Sequence, residues 1–285
     1  MSRDPEARSG PFAIALLSPI ALIYLVFLLA PVGYFLAVSL FKYAPAQLYT
    51  TTLTTENYAR LLFDGYYRGI VFTTFRISAI VTIATLLLAY ALAYYLSRAP
   101  ASLRGLMLFL VIAPLMTGVI VRTYGWIVLL GQDGLVNQAL LFLGVIGRPL
   151  QLLNTEGTVI VALVHIMLPY MTFPIFSALV SQDPHLVPAA STLGARPFRA
   201  FLEVTLPLSR SGIVMGSALV FTLTAGSIVT PQLLGGRSLT MMGQQIYQLV
   251  LSTFNWPLGA AVAALLVLCQ FFVILIYFRR AGRAG

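Results

Sequence analysis

Residues 186–213 read LVPAASTLGARPFRAFLEVTLPLSRSGI, a polar-to-amphipathic stretch between two long apolar runs. The stretch carries Arg196, Arg199 and Arg210. Because positive residues of membrane proteins concentrate in cytoplasmic loops, these arginines predict that it lies inside the cell. A loop of this size on that side is suited to binding a partner.

The internal pattern of this stretch predicts a compact protrusion. Asp183 and Pro184 are typical of a helix N-cap followed by proline at the first helical position, and Gly194 is typical of the left-handed residue that ends a short helix. A second amphipathic turn is predicted from Pro197 to a break at Pro207. Its apolar face consists of Phe198, Phe201, Leu202 and Leu206. The alternative is a solvated loop containing one small helix.

The composition of the whole chain indicates an integral membrane protein. Of 285 residues, 59% are hydrophobic and only 9% are charged, against about 25% charged in globular domains. The net charge of +9 comes from basic residues at the ends of apolar runs. We therefore interpret these basic residues as topology signals that lie next to membrane lipid, and not as a nucleic-acid site. The single cysteine, Cys269, excludes an intramolecular disulfide.

Six apolar runs are long enough to cross the membrane as helices, since about 20 residues span the hydrocarbon core. They cover residues 12–40, 69–96, 106–130, 158–180, 211–234 and 257–278. The predicted fold is therefore all-α, a polytopic membrane protein with six transmembrane helices and a cytoplasmic helix-turn-helix loop over 181–210. The first run is too long for a cleavable signal peptide, and we expect it to be retained.

The distribution of Lys and Arg predicts the orientation. With both termini inside the cell, the cytoplasmic segments hold ten of these residues and the outer segments five. Residues 1–11 and 279–285 are then short cytoplasmic tails. The outer segments are expected to carry a helix from about Thr55, an interfacial helix over 135–145 and another around 242–250.

The loop 181–210 resembles the "EAA" signature of permease subunits of bacterial ABC importers. The matching residues, with two that lie among them, are Ala189, Ala190, Gly194, Ala195, Arg196, Leu206 and Pro207. Pro188 stands where the family has its glutamate, which removes a carboxylate from the loop. Residues 122–126 (RTYGW), 131–137 (GQDGLVN), 230–236 (TPQLLGG) and 255–259 (NWPLG) resemble the spermidine/putrescine-type branch. That branch also includes importers of opines, aminophosphonates and γ-aminobutyrate-like compounds.

The resemblance implies a partnership and a location. Residues 12–278 would form one permease domain, in a bacterial inner membrane, beside a second permease subunit. Two ATPase subunits would bind the loop and hold ATP and Mg²⁺, so this subunit itself needs no cofactor. A periplasmic substrate-binding protein would deliver a small polar organic solute, with polyamines first among the candidates.

Ionisable residues within the apolar runs are candidates for the substrate path, because burying them in hydrocarbon is unfavourable by about 2.5–3.5 kcal/mol. Arg76, Arg122 and His165 all fall in the outer half of their runs. Tyr124 and Trp126 would add aromatic walls. The alternative is that both arginines reach the interface or pair with carbonyl groups, and that His165 is neutral and hydrogen-bonded.

Hydroxyl groups in the fifth run form a second candidate set. Thr224, Ser227 and Thr230 are hypothesised to face the path, against the alternative that they bond their own helix or a neighbour. Gln270 is interpreted as an interhelical hydrogen bond. All eight carboxylates lie outside the predicted hydrocarbon core. Either the second permease supplies acids for a cationic solute, or Asp133 and Glu156 guard the mouth, or the solute is anionic or zwitterionic.

Other functional classes find little support in the sequence. It has no glycine-rich phosphate loop and no paired histidines at metal spacing, and its only histidines are His165 and His185. The chain is therefore predicted to be a transport subunit and not an enzyme. A secondary transporter, the remaining alternative, is expected to carry acids within its spans.

Overall fold

The computed structural model describes residues 18, 19, 22–236 and 239–282. The helices are α1 (Leu22–Val38), α2 (Glu56–Phe63), α3 (Gly65–Arg98), α4 (Ala101–Ile112), α5 (Val119–Leu130), α6 (Leu135–Phe142), α7 (Glu156–Val180), α8 (Leu186–Thr192), α9 (Pro197–Leu208), α10 (Arg210–Ala225), α11 (Val229–Leu234), α12 (Met242–Tyr247) and α13 (Trp256–Gly282). Wider π turns occur at Leu25–Leu29, Phe201–Thr205 and Gln248–Ser252. A predominantly helical fold is confirmed.

A β-hairpin between α1 and α2 was not predicted. Strands β1 (Phe41–Ala44) and β2 (Leu48–Leu53) pair antiparallel, with Tyr43 opposite Tyr49. The second strand reads LYTTTL, and β-branched and aromatic residues favour strands. Asn57 fixes the hairpin to α2, because its amide nitrogen donates to the carbonyl oxygens of Ser39 and Phe41 at 2.9 and 3.0 Å.

The number of spans stays a prediction. Among the described helices, α3, α7, α13 and the run Val119–Phe142 formed by α5 and α6 are long and apolar enough to cross a membrane. The pair α9 and α10 adds a fifth if it is counted as one bent span. Helix α1 and the rod Ala101–Met116 are apolar but shorter. Residues 1–11 lie outside the described residues, as does most of the 12–21 part of the first predicted run.

Two of the predicted runs are not continuous helices. In the third, α4 gives way to a 3-10 turn at Ala113–Met116, where Pro114 cannot donate a bond to the preceding turn, and the chain is extended at Thr117. In the fifth, α10 ends at Ala225, with Gly226 as its C-cap, and α11 begins at Val229. Hydropathy averaged over a whole run does not register either interruption, since each break is only a few residues long and lies between apolar helices.

The boundaries of the shorter elements are close to those expected. Helices α2, α6 and α12 confirm the helices predicted for these three segments, whose place on the outer side and at the interface stays a prediction. Helix α6 ends at Phe142 and is followed by Gly144 in the left-handed region. Helix α13 continues to Gly282, and the cytoplasmic tail 279–285 stays a prediction.

The centre of the subunit is formed by α3, α7 and α10. Ile77 of α3, Leu163, Met171 and Ile175 of α7, and Val220 of α10 are fully buried there. In lipid, apolar burial does not by itself drive helices together, so close packing and small residues matter most. Gly212 and Gly216 of α10 supply such a close approach. A side chain at Gly212 would overlap the Pro174 carbonyl oxygen, and one at Gly216 would lie 2.8 Å from the Met171 sulfur.

Candidate coupling surface and translocation path

The segment 181–210, called the coupling segment below, begins with a turn and not with a capped helix. Asp183 accepts a hydrogen bond from the backbone N–H of His185 at 2.9 Å. This local bond is typical of an Asx turn. Helix α8 therefore starts at Leu186 with no side-chain cap, and the predicted cap at Asp183 and Pro184 is wrong by two residues.

The end of α8 confirms the prediction for Gly194, whose φ is +86°. The Gly194 N–H donates to the Ser191 carbonyl and the Ala195 N–H to the Ala190 carbonyl, both at 3.0 Å. This pair of bonds is the Schellman arrangement, in which glycine avoids the steric penalty of the left-handed region. The chain is thereby turned so that α9 begins immediately afterwards, at Pro197.

Helix α9 does not break at Pro207 as predicted. The π turn Phe201–Thr205 shifts the hydrogen bonding by one residue, and the helix passes through Pro207 to Leu208. The chain then bends by 62° into α10. Ser209 stabilises the bend, because its hydroxyl donates to the Leu206 carbonyl at 2.9 Å and lies 3.0 Å from the Tyr90 hydroxyl of α3.

The apolar side chains of the coupling segment point in two directions. Phe201 packs edge-on against Tyr90 and Tyr94 of α3, with ring centroids 5.8 and 5.4 Å away. Leu193 is 90% exposed and Phe198 is 73% exposed. The predicted single apolar face is therefore divided: Phe201 anchors the segment to α3, and Leu193 and Phe198 form an exposed apolar tip. Exposed patches of large apolar residues are typical of interaction sites.

The charged groups of the coupling segment differ in their environments. Arg199 donates to Glu203 at 2.9 Å, and this hydrogen bond raises the pKa of Arg199 above its ordinary value. The two charges neutralise each other on one helix face. Arg196 is exposed and has no ion pair among the described residues. It is therefore the cation of this segment that is free for a partner. Pro188 and Ala189 are exposed as well, whereas Ala190 is half-buried.

Three of the predicted path residues lie together. The Trp126 indole N–H donates to Nδ1 of His165 at 3.4 Å, and the two rings meet edge to face at 5.6 Å. Arg122, one turn before Trp126 on α5, is close enough to His165 for their charges to interact. Its Nε and Nη1 atoms are buried and have no hydrogen-bond partner in the described part of the chain. His165 is exposed at the surface of this subunit.

Arg76 and Tyr124 do not belong to this cluster. Arg76 forms an ion pair with Glu156, the first residue of α7. Nine residues separate Glu156 from His165, about two and a half helical turns, so they project from opposite faces of α7. Tyr124 lies about half a turn from Arg122 and Trp126 on α5 and is 55% exposed.

The hydroxyl groups of the fifth run are mostly internal. Thr224 and Thr230 have no exposed surface, and the Thr230 hydroxyl lies 3.2 Å from that of Thr123 on α5. Neither reaches the surface of the subunit, so the structure does not place them on a path. Ser227 is half-buried at the break between α10 and α11. Gln270 donates to the Thr222 carbonyl at 3.1 Å, which confirms its interpretation as an interhelical bond.

Two features of the site escaped the sequence reasoning. The pairing of Glu156 with Arg76 was not among the alternatives considered for Glu156, although its place in the first turn of a helix rich in apolar residues was a signal that it would need a partner. Arg98 and Arg104 were counted only as topology signals, but they line a cavity beside the coupling segment. Within the described residues no three His, Cys, Asp or Glu side chains are grouped to hold a metal.

Residues 86–281 match the family described as the inner membrane component of binding-protein-dependent transport systems. The chain belongs to this family. It is accordingly a multi-pass inner-membrane permease component of an ABC importer, and not an enzyme.

Curated relatives agree over most of the chain. The spermidine/putrescine transport system permease protein PotB of Haemophilus influenzae is 37% identical over 253 residues, covering 89% of this chain and 88% of the relative. PotB of Escherichia coli K12 is 35% identical over 234 residues, covering 82% and 85%. The inner membrane ABC transporter permease protein YdcU of the same organism is 32% identical over 250 residues, covering 83% and 77%.

Solved structures share the fold. A chain of a bacterial ABC transporter involved in the import of the acidic polysaccharide alginate superposes with a TM-score of 0.72 at 16% identity, covering 98% of this chain and 97% of that one. A chain of the bacterial alginate ABC transporter in complex with an alginate pentasaccharide-bound periplasmic protein gives 0.76 at 16% identity, covering 98% and 96%. The permease fold is therefore established for this subunit.

Proposed function

We propose that this chain is one of two permease subunits of an ATP-driven importer and forms half of the path for a small polar amine, most directly a polyamine such as spermidine or putrescine. The observation that carries the proposal is the 37% identity to a spermidine/putrescine permease over 89% of the chain. Two ATPase subunits, which hold ATP and Mg²⁺, and a periplasmic substrate-binding protein complete the assembly.

In this proposal the permease domain spans 12–278 and crosses the membrane six times, with both termini and the coupling segment in the cytoplasm. The ten-to-five excess of basic residues on that side supports the orientation. The broken third and fifth runs each count as one span, because both halves of each run are apolar.

The coupling segment is proposed to bind the ATPase subunits through its exposed tip and Arg196. The 62° bend at Ser209 and the contacts of Phe201 connect this tip to α3 and α10. Movement of the ATPase pair would thus bias the helices between inward-open and outward-open states, since binding shifts an equilibrium only by its different affinity for the two states.

The face formed by Arg122, Trp126 and His165 is proposed to line the path. An exposed histidine and a partly unpaired arginine are unfavourable against hydrocarbon, by about 2.5–3.5 kcal/mol for a charge at a helix centre. They are accommodated if water or the second permease covers this face. The indole ring of Trp126 offers a π surface to a protonated amine.

A second candidate is import of an anionic or zwitterionic solute. It is favoured by the two nitrogens of Arg122 that have no partner among the described residues, and by the pairing of Glu156 with Arg76, which neutralises that carboxylate. A polyamine would then depend on carboxylates of the second permease. Both candidates share the same fold, partners and energy source.

Uptake measurements on the assembled transporter distinguish the two candidates. Vesicles containing the complete complex and ATP should accumulate labelled spermidine or putrescine, and Arg122→Gln should leave this uptake unchanged or raise it. For an anionic solute the same substitution should lower uptake about tenfold, since it removes a charge-assisted contact. If the wild-type transporter takes up an aminophosphonate or opine but no polyamine, the second candidate replaces the first.

A further inference from the structure

A cavity of about 510 Å³ separates the coupling segment from the turn that joins α3 to α4. Arg98 and Arg104 line it on one side, and Asp183, Pro188 and Thr205 line it on the other. The coupling segment therefore forms one wall of a polar cavity, and a protein bound to that segment is adjacent to the cavity.

The cavity has an excess of positive charge. Arg98 lies with its guanidinium carbon 4.4 Å above the ring centre of Tyr94 and forms no ion pair among the described residues. Asp183 is the only carboxylate in the lining, and one of its oxygens already accepts the N–H of His185. Two cations thus face one partly occupied anion.

Donor groups at this cavity lack acceptors. Thr205 is only 3% exposed, and its hydroxyl has no hydrogen-bond partner among the described residues. Arg104 donates through Nη2 to the carbonyl oxygens of Ser97 and Ala99 at 3.1 and 3.0 Å, whereas its buried Nε has no partner in the same part of the chain. Buried donors are normally satisfied, so both groups need an acceptor that the described residues do not supply.

We propose that this cavity receives the carboxylate of an acidic side chain of the ATPase subunit. The proposal rests on the docking of that subunit to the coupling segment. A carboxylate matches the planar donor edge of a guanidinium and can accept from a hydroxyl at the same time. The coupling segment itself supplies three of the lining residues named above, so its docking partner has direct access to the cavity.

Pro188 determines which of the two proteins carries the acidic group of this contact. A glutamate in its place, as in the signature that this loop resembles, would put a carboxylate into the cavity from within the subunit. That carboxylate would pair with Arg98 or Arg104 and neutralise the site. With proline, the subunit keeps its cations free and the acid comes from the partner, so the charges of the contact are reversed relative to a loop that carries its own glutamate.

The decisive variants are Pro188→Glu and Arg98→Ala. Each is assembled with the second permease, the ATPase subunits and the binding protein in nanodiscs of phosphatidylcholine alone, and solute-stimulated ATP hydrolysis is measured. Both should lower stimulation about three- to tenfold, because a charge-assisted contact is lost. Pro188→Gln has the same length as Pro188→Glu without the charge and should retain more of the stimulation than Pro188→Glu, whereas Arg148→Ala in the opposite, outer segment should behave as wild type. Arg98→Lys, which keeps the positive charge, is the second variant to use if Arg98→Ala fails to assemble. It should retain most of the stimulation.

Three results would overturn the inference. One is normal stimulation in Arg98→Ala; another is stimulation in Pro188→Glu equal to that in Pro188→Gln. The third is a loss that appears only when acidic lipid is added, which would assign the cavity to a lipid headgroup. An insertion after Gly194 separates the two levels of the proposal: if it uncouples transport and the arginine variants do not, only the cavity assignment fails. If the insertion has no effect, the docking role of the coupling segment fails as well.

Discussion

Replacing Gly212 with alanine should separate α10 from α7 and destabilise the subunit. The new Cβ would lie 2.8 Å from the Ala178 Cβ and 2.9 Å from the Ile175 Cα, and it would overlap the Pro174 carbonyl oxygen. Carbon atoms pack at about 3.5–4.0 Å, so the helices must move apart by nearly 1 Å. Two of the three obstacles are backbone atoms, which cannot rotate away.

The expected loss is up to about 2 kcal/mol. Overpacking a well-packed interface is unfavourable by about 1–3 kcal/mol, and the better helix propensity of alanine offsets about 1 kcal/mol of this. Gly216→Ala should lose less, because its closest neighbour is the flexible Met171 sulfur at 2.8 Å. Gly69→Ala in α3 is the matched control, since nothing lies within 4 Å of its new Cβ.

The measurement is the thermal unfolding midpoint of the purified subunit in one detergent. The predicted order of midpoints is Gly69→Ala highest, Gly216→Ala lower and Gly212→Ala lowest. If Gly212→Ala unfolds at the same temperature as Gly69→Ala, then α10 and α7 are not held at this distance by the glycine. The structural account of the helix pair would then be wrong.

Three further outcomes are expected. Arg196→Glu should uncouple ATP hydrolysis from transport more strongly than Arg199→Glu, because Arg199 is already neutralised by its own helix; equal effects in a transport assay would contradict this. Gly194→Val should lower the unfolding midpoint by the equivalent of about 1–2 kcal/mol, since a β-branched residue is strained at φ +86°, whereas Gly105→Val, at a position without positive φ, should not. Arg76→Gln and Glu156→Gln should each destabilise the subunit, and the double variant should recover about 0.5–1 kcal/mol; strictly additive midpoints would show that the ion pair contributes nothing.

Local chemistry decided which features were predictable. Gly194 was predicted correctly, because the left-handed φ that ends a helix is determined by a few adjacent residues. The start of α8 was not, because an aspartate before a helix can cap it or close a turn, and both patterns look alike in sequence. The hairpin over 41–53 was missed because the prediction was based on apolar runs, and this Thr- and Tyr-rich segment lies outside them.

The candidate site required tertiary information. The hydroxyl groups of Thr224 and Thr230 have a spacing that suits either a path or an internal contact, and only packing shows that they are buried. Arg76 and Glu156 are 80 residues apart, so no local pattern pairs them. Arg122, Trp126 and His165 were named from the sequence as candidates, but their grouping on one face and the exclusion of Tyr124 follow from the turn of α5 relative to α7.

The exposed tip of the coupling segment affects how the subunit is produced. Leu193 and Phe198 are suited to contact with another protein, and without it they lie in water as two large apolar side chains. Copies made in excess of their docking partner are therefore prone to aggregate and to be bound by chaperones and proteases. Synthesis of the subunits in matching amounts keeps the concentration of this unassembled form low.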